Sequence, residues 1–337
     1  MAVRVSREIR LKNRPVGLPT ESDFELAEVN VPQVGEGQVL VQNIYMSVDP
    51  YMRGRMYDRR SYVPPFQLDQ PLDGGCVGRV VESKNEQFQA GDFVFGMNGW
   101  REYFISDGKG MFKIDPNVAP IQTYLGTLGM PGLTAYYGLL EIGKPREGET
   151  VFVSAASGAV GSIVSQIAKL KGCHVVGSAG SDEKVAWLLE EAGVNAAFNY
   201  KKVDNIIAEV GKKCPKGIDV YYENVGGVHL EAALEHMNKD GRLVMCGMIS
   251  QLNATKPAPG PANLIYVVGK RLTMKGFIVS DHFDILMQFY ADMGKWIAEG
   301  KIKWKETIVD GIENAPRAFI GLFKGENFGK MIVKVGD

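Results

Sequence analysis

Apolar positions divide the chain into two regimes. Between Glu36 and Phe112 they alternate with polar ones in short stretches bounded by Gly, Asp and Asn: GEGQVLVQNIYMSV, GGCVGRVVES, AGDFVFGMNGW and REYFISD. A period of two over short runs predicts β-strands and an all-β region. From about Thr150 the rhythm becomes apolar run, amphipathic segment, apolar run. VFVSAA leads into a helix expected over 160–171, HVVGSAG into one over 182–192, and IDVYYENVG into one over 229–236, while GRLVMCGMIS and LTMKGFIVS continue the strands. That alternation predicts a doubly wound α/β fold, a parallel sheet covered by helices. The stretch from Lys301 onward reads as strand, short helix and strand, and periodicity alone assigns it to neither region.

Composition narrows the function. The 337 residues are about two domains' worth of chain, and 45% hydrophobic with 23% charged residues is the balance of a soluble globular protein. Lys and Arg number 38 against 39 Asp and Glu, so no net field favours nucleic acid or anionic lipid. Cysteines at 76, 173, 214 and 246 form no CxxC pair, which points away from a disulfide framework or structural zinc lobe and fits a cytoplasmic setting. The opening MAVRVSREIRLKNRP lacks the apolar core of a secretion signal. Pro116–Leu140 is uncharged, but three prolines and four glycines interrupt it, so it is expected to be buried crossover rather than a membrane span.

The candidate chemistry begins in VFVSAASGAVGSIVSQIAKLK, residues 151–171. An apolar strand, a glycine-bearing turn and an amphipathic helix form the context of a dinucleotide fingerprint. Ala156, Gly158 and Gly161 occupy its three glycine positions, with alanine at the first. The second glycine admits a pyrophosphate to backbone N–H groups, and the third lets helix approach strand. An NAD site would place a carboxylate at the end of the next strand, on the ribose hydroxyls. Here that end reads VGSAGS, 176–181. Asp182 suits the first turn of a helix, and Lys184 is placed to meet a 2′-phosphate, so NADP (NADPH) is the expected cofactor.

Seven ordered segments resemble one family: VDPYMRGRM (48–56), SYVPPF (61–66), LGMPGLTAYYGL (128–139), AASGAVG (155–161), YYENVGG (221–227), CGMIS (246–250) and GENFGK (325–330). The chain resembles the zinc-independent medium-chain dehydrogenase/reductases, in the branch of prostaglandin reductase, alkenal double-bond reductases and bacterial curcumin reductase. The resemblance implies a GroES-like β-barrel catalytic domain (1–126), a Rossmann-type NADP-binding domain (127–300) and a C-terminal return to the first (301–337), with NADPH in the cleft between them. It implies a pyrophosphate over Ala159 and Val160, and a 2′-phosphate near Gly180, Lys184 and Tyr200. The ribose and nicotinamide side would be lined by Asn224, Cys246, Ser250, Phe277, Ile278 and Val279, with Asn327 from the tail. Tyr266 matches the tyrosine beside the substrate carbonyl, with Tyr51 and Tyr62 on the opposite wall. A homodimer is also implied.

Where zinc-dependent relatives carry a ligand cysteine and a GHE segment, this chain reads MSVDPYM and LDGGCVG, so no metal is expected. Histidines 174, 229, 236 and 282 read as surface or helix-end residues. Without a Lewis acid, reducing a polarised C=C bond asks less than oxidising an alcohol. The expected activity is therefore NADPH-dependent reduction of α,β-unsaturated ketones or aldehydes, with the Tyr266 phenol stabilising the enolate. A quinone oxidoreductase or carbonyl reductase of the same fold, or a nucleotide-binding protein without turnover, are the alternatives. Met46, Met52, Met56 and Met130 fit either an adaptable pocket mouth or plain core.

Overall fold

The fold is that of a computed structural model describing residues 4–336. In chain order, strands β1 (Val5–Leu11), β2 (Phe24–Asn30) and β3 (Val39–Ser47) precede a helical turn, α1 (Met52–Arg55). Strands β4 (Cys76–Ser83), β5 (Phe93–Gly96), β6 (Tyr103–Ser106) and β7 (Phe112–Lys113) follow. The chain then runs through α2 (Met130–Tyr137), β8 (Thr150–Val153), α3 (Gly161–Leu170), β9 (His174–Ala179), α4 (Asp182–Glu190), β10 (Ala196–Asn199) and α5 (Ile206–Lys213). Next come β11 (Ile218–Glu223), α6 (Val228–His236), β12 (Met237–Met245), α7 (Tyr266–Gly269), β13 (Thr273–Gly276) and α8 (Leu286–Ala298). Strand β14 (Glu306–Asp310), α9 (Ala315–Lys324) and β15 (Lys330–Lys334) close the chain.

One compact unit comprises the chain to Gly126 together with the segment from Glu306; the other is Thr127–Lys305. The tail resolves the ambiguity left by periodicity. β15 pairs antiparallel with β3, Ile332 opposite Ser47 and Val333 opposite Met46, and β14 adds parallel outside it. The change of unit falls at Glu306 rather than at 301. Gln166 of α3 exchanges two 2.8 Å hydrogen bonds with the Lys303 backbone, and Ile302 is buried, so 301–305 stays with the α/β unit. In the first unit, Phe24 stacks on Trp100 and Phe319 meets both edge-on. Met46, Met52 and Met56 are fully buried in the same cluster. They are core, not mouth lining; only Met130 is exposed.

The second unit holds a six-stranded parallel sheet ordered β10-β9-β8-β11-β12-β13. β8 is buried along its whole length, as a central strand covered on both faces must be. Chain order reverses between β8 and β11, and ligands bind outside the carboxyl ends of strands at such a switch point. Strand β10 and helices α2, α5 and α8 were not evident from periodicity. The last strand also ends earlier than LTMKGFIVS suggests: Val279–Asp281 forms one helical turn beyond β13.

Candidate cofactor and substrate site

The glycine-bearing turn leaves β8 at Ser154, and glycine is sterically required at 161 and favoured at 158. A Cβ on Gly161 would stand 2.3 Å from the Ala155 carbonyl oxygen, and one on Gly158 3.2 Å from the same atom. Helix α3 therefore starts against the turn, and its first turn has no side-chain cap. In that turn the Ser162 and Ile163 N–H groups donate to the Gly158 and Val160 carbonyls at 3.0 and 3.1 Å, while the helix dipole there favours an anion. Alanine at the first glycine position is compensated from the next strand: a Cβ on Gly177 would lie 2.7 Å from the Ala156 methyl. The missing side chain has moved across the sheet to β9. The Ala156 N–H donates to the Ser178 carbonyl at 2.9 Å, fixing that packing. Ala159 and Val160 complete the turn before α3.

At the end of β9, Gly180 leaves open a space into which the Tyr200 hydroxyl and Lys201 project, 3.1 Å and 3.4 Å from where a Cβ would sit. Lys184, in the first turn of α4, has its amine held below the usual lysine range by burial and then by Lys201. Two cations that disfavour each other are relieved by an anion between them. Asp182 does not compete: it is paired with Lys202 and takes a 2.8 Å bond from Asn199. Lys201 was missed by sequence reasoning, because its nearness to Gly180 arises from β10 lying beside β9.

The ends of β8 and β11 are stitched together by a buried carboxyl. Glu223 Oε1 accepts from Ser154 Oγ (3.0 Å), the Tyr221 hydroxyl (2.8 Å) and the N–H groups of Val225 and Gly226 (2.7 and 2.8 Å). Burial holds this carboxyl above its ordinary range. Asn224 adds a 2.8 Å bond from its side-chain amide to the Ser154 carbonyl, and Ser250 Oγ donates to the Val225 carbonyl at 2.5 Å. Beyond β12 and β13 lies a groove of about 550 Å³. Its walls are Met245–Met248 and Gly276–Ile278, with Asp281 its one charged side chain. Cys246 and Phe277 are thus in the groove, and Val279 lies just past it. Burial pushes the Cys246 thiol up to about 12, so it stays protonated.

The remaining expected residues divide. The Tyr266 hydroxyl meets Glu235 Oε1 at 3.3 Å, its ring lies under the Lys270 ammonium at 4.7 Å, and it is absent from the groove lining. Tyr51 and Tyr62 belong to the first unit, where neither hydroxyl has a hydrogen-bond partner among the described residues; Tyr62 is 61% exposed. Asn327 donates to the Gly329 carbonyl within its own loop at 2.8 Å. His229 corrects the surface reading. It is 3% exposed, edge-on to the Tyr200 ring at 5.3 Å, with Nε2 unpartnered. No group of three or more His, Cys, Asp or Glu among the described residues is placed to hold a metal. No helix among them is long and apolar enough to cross a membrane.

A β-rich unit completed by its own C-terminal strand, with a doubly wound unit whose first strand turns through glycines into a helix, is the architecture of a two-unit nicotinamide-dependent oxidoreductase. Residues 7–114 match the family described as the N-terminal domain of oxidoreductase, and residues 159–299 that described as zinc-binding dehydrogenase. The chain is 47% identical to the NADPH-dependent curcumin reductase of Escherichia coli, over 97% of this chain and 96% of the relative. It is 46% identical to the NADP(+)-dependent 2-alkenal reductase of Nicotiana tabacum, covering 99% of each. The crystal structure of CurA with NADPH from Vibrio vulnificus superposes with a TM-score of 0.94 at 43% identity, covering 98% of this chain and 99% of that one. The protein belongs to the medium-chain dehydrogenase/reductases, in the branch of curcumin, alkenal and prostaglandin reductases.

Proposed function

We propose that the protein is an NADPH-dependent reductase of the C=C bond of α,β-unsaturated ketones and aldehydes. The observation that carries the cofactor choice is the end of β9, where Tyr200 and Lys201 stand beside Gly180, Lys184 feels the charge of Lys201, and Asp182 is already paired. The reaction class rests on likeness, over nearly the whole chain, to relatives named for enone and enal reduction.

The chain's glycines fit a dinucleotide. Gly158 and Gly161 keep the turn low enough for a pyrophosphate, Ala159 and Val160 present N–H groups at the start of α3, and Gly180 leaves room for a 2′-phosphate. Asn224, Ser250 and the groove from Cys246 to Phe277 and Ile278 are proposed to hold the ribose and nicotinamide, with Val279 completing this side of the site. NADPH, when bound, supplies the hydride that enters the β-carbon of the substrate. The negative charge left on the carbonyl oxygen needs a neutral hydrogen-bond donor. Burial and then Asp49 hold the Tyr51 phenol above its usual range, and desolvation does the same for Tyr62. Both stay protonated and uncommitted, whereas the Tyr266 hydroxyl is engaged by Glu235, so we assign the donor role to Tyr51 and Tyr62 ahead of Tyr266.

The deciding experiment is product analysis with NADPH and a simple enone, repeated with Tyr51→Phe, Tyr62→Phe and Tyr266→Phe. A saturated ketone is expected, with turnover falling by about 10²-fold when the principal donor is lost. A saturated alcohol, or activity confined to quinones, would replace this reading with a carbonyl or quinone reductase. An unchanged NADPH absorbance with every substrate would leave a nucleotide-binding protein. A tenfold loss confined to Tyr266→Phe would return the donor role to that residue.

A cytoplasmic setting is part of the proposal, supported by four free cysteines. So is a homodimer through the α/β unit. Strand β13 is an unpaired sheet edge, and Leu264, Ile265 and Val268 just before it are exposed. Light scattering of Val268→Glu against wild type tests the dimer.

A further inference from the structure

We propose that Arg55 is a positioning residue for the substrate-side phenols, clamping the loop that carries Tyr62; this rests on the reading that these phenols meet the carbonyl. Arg55 is buried at the end of α1. Its guanidinium makes a two-pronged pair with Asp73 and donates from Nε to the Pro64 carbonyl at 2.9 Å. It also lies 4.0 Å from the centre of the Phe66 ring. The Arg55 carbonyl in turn accepts from the Phe66 N–H at 2.7 Å. One residue thus grips the returning end of loop 57–65 by side chain, backbone and stacking, which a planar fork achieves and an ammonium does not.

The same guanidinium acts electrostatically. Its charge lowers the pKa of both phenols, against desolvation at each and against Asp49 and Asp73 at Tyr51. A phenol made somewhat more acidic is a stronger donor to an oxyanion. Arg14 is the natural control. It bonds the Met56 and Phe66 carbonyls at 3.1 Å each, so it holds the same loop without being among the charges felt at either phenol.

The test compares wild type, Arg55→Lys, Arg55→Met and Arg14→Met. Steady-state kinetics with an enone should show KM raised about tenfold or more in Arg55→Met, only partly recovered by lysine. NADPH affinity, followed by cofactor fluorescence, should stay unchanged. Ultraviolet titration of phenolate, with Tyr62→Phe in each background to isolate Tyr62, should move its midpoint upward in Arg55→Met but not in Arg14→Met. An unmoved Tyr62 midpoint, or NADPH affinity falling in step with the enone KM, overturns the proposal. If wild type reduces no enone at all, the functional reading fails instead, and the Tyr62 titration still decides whether Arg55 governs that phenol.

Discussion

At the scale of single residues, the cofactor loop turns on contacts of a few tenths of an ångström. The Gly161 position cannot accept a methyl without moving the Ala155 carbonyl. Gly161→Ala should therefore cost about 1–3 kcal/mol of stability and weaken NADPH binding, measurable by urea denaturation and fluorescence titration. Lys184→Ala and Lys201→Ala should each weaken NADPH binding by about tenfold while leaving NADH binding unchanged, since each removes a charged bond to the 2′-phosphate alone. Equal losses for both coenzymes would place the phosphate elsewhere. His229 predicts acid sensitivity. Burial lowers its pKa from 6.5 to about 4, so below pH 6.5 the unfolded chain takes up a proton the folded chain refuses. Stability present above pH 6.5 is lost as pH falls to about 4, on the order of 3 kcal/mol. His229→Gln should flatten that dependence in denaturant melts between the two values.

Among elements, the tail is held to the β-rich unit by more than its ladder. The buried Lys330 ammonium bonds Asp49 at 3.1 Å and the carbonyls of Val48 and Met331 at 2.9 and 2.8 Å. Asp49 also receives the Ser47 hydroxyl. Strand β15 is thereby pinned to the segment between β3 and α1, two residues from Tyr51. Removing one member of a buried pair leaves the other charged and alone. Lys330→Met should destabilise by about 3–5 kcal/mol, and Asp49→Asn with Lys330→Met together by clearly less than the sum of the two single changes. A urea series on the three variants measures that coupling.

For the molecule as a whole, cofactor binding should report the NADP preference without any turnover. A ligand bound only by the folded state at about 100 times its Kd adds about 2.7 kcal/mol. NADPH should raise the melting temperature at concentrations where NADH does not, and the tenfold weaker binding of Lys184→Ala should cut the gain to about 1.4 kcal/mol. Equal shifts with the two coenzymes would contradict the assignment of the β9 end.

Much of this was legible in the sequence, because it is local. Alternation of period two marked β3 to β6, strand–helix alternation marked the parallel sheet, and the glycines of residues 158–161 marked the tight turn from β8 into α3. Each reads within about 20 residues, the reach over which backbone geometry ties pattern to structure. Contacts between distant segments were beyond that reach. The Ala156 methyl is accommodated by Gly177 on another strand, Lys201 comes beside Gly180 only through the β9–β10 pairing, and Lys330 finds Asp49 across most of the chain. The Tyr266 hydroxyl is taken up by a carboxylate on another helix, and His229 is buried where its helix alone suggested surface. Sequence periodicity says which way a residue faces within its own element; which neighbour it meets depends on how elements pack, and only the tertiary structure decided that.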